Sequence, residues 1–141
     1  MRQTFHNPCR VEWHDTDAAG IAHFTSFFRY MEETEHAFLR SLGFSVLMQD
    51  DTGRYSWPRV SVGCEYRGAV RFDDVLDVAL TIARLGEKSI SYTFLFSHNG
   101  QVVAEGKSTA VYCRLSEHGP PRSCLIPALM VERLTTYLAA E

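Results

Sequence analysis

A chain of 141 residues, 45% hydrophobic and 22% charged, has the length of one domain and the composition of an ordinary globular protein, which excludes a disordered or fibrous chain. A formal net charge of -3 and a pI near 6.1 lack the clustered basic excess that a phosphate backbone requires, so nucleic acid is not an expected partner. Met1 to Arg10 has no signal-type apolar core and no apolar run approaches the roughly 18 to 20 residues of a membrane span, so the expected location is cytoplasmic.

Phe5, Val11 and Trp13 around Pro8 predict a first strand over Thr4 to Trp13, with the proline suited to a sheet edge. HDTDAAGIAH, His14 to His23, breaks periodicity with turn formers and predicts a loop. From Phe24 to Leu42 the apolar residues Phe24, Phe27, Phe28, Met31, Phe38, Leu39 and Leu42 follow helical spacing, and Gly43 supplies a stop. Arg29, Glu32, Glu33, His36 and Arg40 form the polar side, so one face of this helix wants a sheet.

After a mobile-looking Gln49 to Arg54, strands are predicted over Tyr55 to Arg67, Val75 to Leu85 and Ser89 to Ser97, the last alternating Ile90, Tyr92, Phe94 and Phe96 with small polar residues. Asn99 and Gly100 favour positive φ and predict a two-residue hairpin into a final strand, Val102 to Leu115. Met130, Leu134, Tyr137 and Leu138 predict a short closing helix with Pro127 in its first turn. The order is strand, long helix, then four strands read as an antiparallel meander, an α+β arrangement in a single domain over residues 1–141. One helix cannot cover both sheet faces and the edges, so a second copy of the chain is expected to cover some of them.

The loop before the helix concentrates polar chemistry. Asp17 lies seven residues ahead of Phe24, close enough in sequence for the chain to fold back and set its carboxylate beside the helix entrance. The first backbone N–H groups there lack intrahelical partners, so a carbonyl oxygen on the N–H of Phe24 or Thr25 would be polarised. Gly20 permits close backbone approach and unusual φ. On spacing alone, the commoner role of Asp15 and Asp17 is to shape Asx turns and cap the helix, and that of His23 is structural. A metal is not expected, because His14, Asp15, Asp17 and His23 show no HxH or HExxH spacing. Serine and cysteine nucleophile signatures are absent too. Cys9, Cys64, Cys113 and Cys124 form no CxxC pair and read as reduced, mostly packed thiols.

VEWHDTDAAGIAHFTSFFRYMEETEHAFLRSLG, Val11 to Gly43, resembles the opening of the 4-hydroxybenzoyl-CoA thioesterase and YbgC-like family of hot-dog enzymes. Asp15, Asp17, Gly20, His23 and Phe24 match its motif in order. The likeness continues more weakly through Arg59 to Val78, Glu87 to Phe94 and the final long strand.

The resemblance implies a hot-dog fold, in which a five-stranded antiparallel sheet wraps a long central helix and a short C-terminal helix follows. It implies acyl-CoA hydrolysis with Asp17 as catalytic carboxylate, the Phe24 backbone N–H polarising the thioester carbonyl, and His23 where YbgC-like members carry histidine. It also implies a homodimer with the active site at the interface, within a tetramer, and no cofactor beyond the coenzyme A of the substrate. Gly20 and Thr25 are then expected to touch substrate. Arg84, Lys88 and Ser89, like Arg67 and Arg71, bracket turns where coenzyme A phosphates would lie. Trp57, Phe28, Tyr30 and Met31 are candidate acyl-pocket walls. Phe27, Trp13 and His14 depart from common family choices and leave the acyl group open between aromatic and short or medium aliphatic. A non-catalytic acyl-CoA-binding or sensing domain is the alternative of a different class.

Overall fold

The computed structural model describes residues 2–140. Five strands form the main antiparallel sheet in the order β1 (Phe5–Arg10), β5 (Val75–Leu85), β6 (Ser89–His98), β7 (Gln101–Val111) and β4 (Arg59–Tyr66). Its inner face follows from the period of two: Leu76, Val78, Leu80 and Ile82 on β5 and Ile90, Tyr92, Phe94 and Phe96 on β6 are all buried. The predicted hairpin is present, with Asn99 at φ 51° and Gly100 at φ 77°. Pro8 sits on β1, an edge strand, where a missing N–H is tolerated.

Against this face lies α1 (Ser26–Ser41), which buries Phe27, Tyr30, Met31, Thr34, Phe38 and Leu39 at spacings of three and four. Phe27 meets Phe96 with ring centroids 5.2 Å apart, and Phe38 meets Tyr92 at 6.1 Å. A Cβ at Gly106 on β7 would overlap the Met31 sulfur, so glycine there sets how closely the helix approaches. Gly43, at φ 87°, ends the helix as predicted, with Phe44 N–H reaching back to the Leu39 carbonyl at 2.9 Å.

Four boundaries differ from the sequence reading. Trp13 leaves the first strand for a 3₁₀ turn, Trp13–Asp15, and α1 begins at Ser26 instead of Phe24. The predicted strand Tyr55 to Arg67 breaks at Trp57-Pro58, and Val102 to Leu115 breaks at Tyr112. The outer pieces join a second small sheet in the order β2 (Met48–Asp50), β3 (Gly53–Ser56), β8 (Cys113–Leu115) and β9 (Arg122–Ser123). Pro58 explains the first break, since it cannot donate to a ladder and its ring restricts Trp57. Gln49 to Arg54, read as mobile, spans most of the β2–β3 hairpin.

The connectivity also departs from a simple meander. β4 pairs with β7 and not with β5, so residues 67–74 cross the end of the sheet to reach β5. This crossing bears directly on the site, because Val70 accepts the N–H of Ala22 at 2.8 Å and ties the crossing segment to the loop before α1. The closing helix α2 (Ala128–Thr135) has Pro127 at its N-cap, one position ahead of the first turn expected for it, and buries Met130 and Leu134; Tyr137 lies past its end, with its ring 4.8 Å from that of Phe38. Among the described residues no helix is long and apolar enough to cross a membrane.

Candidate active site

The loop between β1 and α1 is built around a buried carboxylate. Asp15 is 1% exposed; its Oδ2 accepts the Glu12 N–H at 2.8 Å and the Tyr30 hydroxyl at 2.9 Å, and its Oδ1 pairs with the Arg29 guanidinium. Burial pushes the Tyr30 hydroxyl up to about 12, so it stays a donor. The Asp15 carbonyl accepts the His23 N–H at 2.7 Å and the Ser26 hydroxyl at 2.8 Å. One residue thus holds both ends of the segment from 15 to 26.

Within that frame Asp17 is presented at the surface of a cavity. The turn from Asp17 to Gly20 closes with Gly20 N–H on the Asp17 carbonyl at 3.0 Å, and Gly20 takes φ 80°. Glycine is needed for this turn and not for close approach, because nothing lies within 4 Å of where its Cβ would be. Asp17 Oδ1 accepts the N–H of Ala19 at 2.8 Å and of Ile21 at 3.4 Å, which orients the carboxylate and leaves Oδ2 without a partner among the described residues. The cavity has a volume of about 300 Å³, with Asp17, Phe24, Phe27, Tyr66, Gly68 and Val70 on its walls.

His23 and Phe24 form the other side of the entrance. The Thr25 N–H donates to His23 Nδ1 at 3.1 Å and the Thr25 hydroxyl approaches the same nitrogen at 2.6 Å. An accepting Nδ1 puts the ring proton on Nε2. Of the two backbone donors considered from sequence, Thr25 is therefore engaged, whereas the Phe24 N–H has no acceptor among the described residues. Tyr66, at the end of β4, donates its hydroxyl to the Phe24 carbonyl at 2.6 Å and fixes this peptide from the opposite side.

The structure thus brings together Asp17, Phe24 and, at their margin, Gly20, His23 and Thr25. His23 caps the start of α1 through Thr25, stacks on Phe24 at 4.6 Å and is not on the cavity wall. Trp57 is not on it either; it is buried, with its ring 4.9 Å from Tyr112 between the two sheets. Arg84, Lys88 and Ser89 lie at the β5–β6 turn, at the other end of the sheet from Asp17. Phe28 and Met31 line a second cavity, and Tyr30 points into the Asp15 cluster. Sequence reasoning missed Tyr66, Gly68 and Val70 as site residues; each reaches the loop over about 40 to 50 positions of chain, beyond any local pattern. Cys9 and Cys113 are buried and Cys64 and Cys124 partly so; at Cys9 burial raises the thiol to about 11.

Comparison with known proteins gives this geometry a family. The profile of the thioesterase-like superfamily matches residues 11–134. A protein of Aquifex aeolicus provisionally named an esterase is 34% identical over 104 residues, 74% of this chain and 79% of its own. A 1,4-dihydroxy-2-naphthoyl-CoA hydrolase of Synechococcus elongatus is 27% identical over 99 residues, 70% of this chain and 73% of its own. Among solved structures, a gentisyl-coenzyme A thioesterase superposes with a TM-score of 0.78 at 27% identity, covering 94% of this chain and 99% of that one. The chain belongs to the thioesterase-like superfamily and has its hot-dog fold.

Proposed function

We propose that the protein is an acyl-CoA thioesterase of the 4-hydroxybenzoyl-CoA thioesterase-like kind, acting on an aromatic acyl group with Asp17 as its catalytic carboxylate. One observation carries this reading: Asp17, whose Oδ2 has no partner among the described residues, and Phe24, whose N–H has none, line one cavity. A thioester carbonyl docked on the Phe24 N–H gains a donor for the oxyanion as the carbonyl carbon becomes tetrahedral. Tyr66 and the Asp15 cluster hold that donor still, which spares reorganisation during the reaction.

Two routes use this geometry. Asp17 Oδ2 attacks the carbonyl carbon, coenzyme A thiolate leaves, and water hydrolyses the resulting mixed anhydride. Alternatively Asp17 takes a proton from a water that attacks the same carbon. Label from heavy-oxygen water found in Asp17 after a single turnover identifies the anhydride route. The aromatic preference draws support from the dihydroxynaphthoyl and gentisyl thioesters named for the relatives, and from Phe24, Phe27 and Tyr66 around the cavity.

The complete site uses two protomers. β4 is an unpaired edge with Val60 64% and Val62 42% exposed, a surface that a second copy would cover by antiparallel pairing. A twofold axis near Cys64 sets Val62 of each protomer opposite Tyr66 of the other. It also brings the partner's Arg84–Ser89 turn level with Asp17, roughly three strand spacings or about 14 Å aside, where the coenzyme A phosphates would meet Arg84, Lys88 and Ser89.

Asp17→Asn keeps the fold and the oligomer while thiol release falls by at least about a hundredfold, the scale of losing a general base. Near-normal turnover in that variant refutes the assignment. An acyl-CoA sensor would bind the same aroyl-CoA panel and release no thiol.

A further inference from the structure

Of the consecutive N–H groups from His23 to Ser26, all but one are engaged. The His23 N–H donates to the Asp15 carbonyl at 2.7 Å, the Ser26 N–H to the His23 carbonyl at 2.9 Å and the Thr25 N–H to His23 Nδ1 at 3.1 Å. The Phe24 N–H alone in this run has no acceptor among the described residues. Its peptide is polarised from behind, because the His23 carbonyl belongs to the same peptide unit and a bond accepted there strengthens donation by the N–H.

The histidine itself is spent on this arrangement. Nδ1 takes the Thr25 N–H and has the Thr25 hydroxyl at 2.6 Å, and the proton then sits on Nε2, so neither ring nitrogen keeps a lone pair for a proton from water. The ring stacks on Phe24 with centroids 4.6 Å apart and planes at 27°, and is not on the wall of the Asp17 cavity. An acceptor for an N–H at a helix entrance is ordinarily a serine, aspartate or asparagine oxygen; here an imidazole nitrogen takes that part.

Resting on the thioesterase reading, we infer that His23 is a positioning residue for the hydrolysis: by occupying the Thr25 N–H it leaves the Phe24 N–H as the donor for the oxyanion, and it carries no proton in the reaction. With the Thr25 N–H free, two adjacent donors would compete for the thioester carbonyl. A carbonyl drawn to Thr25 leaves its place beside Asp17, and a misplacement of about 1 Å costs on the order of a hundredfold. The loss falls on kcat, since the oxyanion forms only in the transition state.

The test measures thiol release from benzoyl-CoA, its ortho-, meta- and para-hydroxy derivatives and 1,4-dihydroxy-2-naphthoyl-CoA. His23→Ala is expected to lower kcat by about tenfold or more with KM within about threefold, the pattern of a lost transition-state contact. Asparagine sets an oxygen where Nδ1 stands but has no titrating nitrogen, so His23→Asn is expected to restore kcat to within about threefold of the wild type. Thr25→Pro removes the competing N–H outright, at a φ of -75° that proline accommodates, and in that background His23→Ala is expected to cost less than about threefold. Equal losses in His23→Asn and His23→Ala, a tenfold cost that persists beside Thr25→Pro, or wild-type kcat in His23→Ala overturns the inference and leaves the hydrolase reading standing. The asparagine arm decides alone if the proline variant does not fold. A wild type that releases no thiol from any of these thioesters refutes the hydrolase reading, and the inference falls with it.

Discussion

The carboxylates of Asp15 and Asp17 stand two residues apart and do opposite things because of their surroundings. Asp15 is buried and saturated by Arg29, the Tyr30 hydroxyl and the Glu12 N–H, so it positions the loop and has no oxygen to spare for a substrate. Asp17 is half-exposed, lines a cavity and keeps Oδ2 without a partner among the described residues. Removing Asp15 leaves the Tyr30 hydroxyl and the Glu12 N–H without their acceptor, while the half-exposed Arg29 keeps Glu33. Asp15→Ala is therefore expected to lower the unfolding free energy by about 1 to 3 kcal/mol, the cost of leaving a buried donor unpaired. Urea melts would check it, and a loss under about 1 kcal/mol would contradict the positioning role. The resemblance to the family motif indicated both residues; which of them lines the cavity depended on where Arg29 and Tyr30 fall, 14 and 15 residues on from Asp15 in the chain but adjacent to it in space.

At the scale of elements, α1 is less simply amphipathic than its sequence pattern. Its apolar stripe and its Gly43 stop were legible, yet Glu35, beside the residues of the polar side, is buried at 1% exposure. Burial outweighs Arg59 and raises the Glu35 carboxyl from 4.5 to about 7. In the unfolded chain the group releases its proton near its ordinary value, whereas in the fold it keeps it until about pH 7. Between these limits the native state binds more protons, so its stability falls as pH rises. The wild type is thus expected to lose stability relative to Glu35→Gln between pH 5 and pH 8, by on the order of 3 kcal/mol at 1.36 kcal/mol per unit. Thermal melts of both proteins across that range measure it, and parallel curves would show that Glu35 is ionised throughout. The strands behave similarly: β5, β6 and their hairpin follow alternation and turn chemistry, while the breaks at Pro58 and Tyr112 reflect a second sheet whose partners are distant in sequence.

For the whole molecule, the open edge of β4 is the feature that most needs a partner. An eight-residue edge strand with exposed Val60, Val62 and Tyr66 invites pairing unless something covers it. The protein is expected to sediment as a dimer or as a tetramer of such dimers. Val60→Lys combined with Val62→Lys, both at exposed positions, is expected to give a folded but inactive monomer. A wild type that is monomeric at micromolar concentration and still active would disprove the shared site. The amino-acid sequence by itself determined the long helix, the alternating strands and the Asn99-Gly100 hairpin, because each rests on periodicity or turn chemistry within a few residues, while the ordered set of Asp15, Asp17, Gly20, His23 and Phe24 stood out through its resemblance to a family motif. Only the tertiary structure decided that Thr25 is capped while Phe24 is not, that Tyr66 and Val70 close the loop, and that Glu35 and Ser108 are buried. Those are contacts between segments far apart in the chain, set by sheet order and by the crossing of residues 67–74, and neither is written in any local pattern.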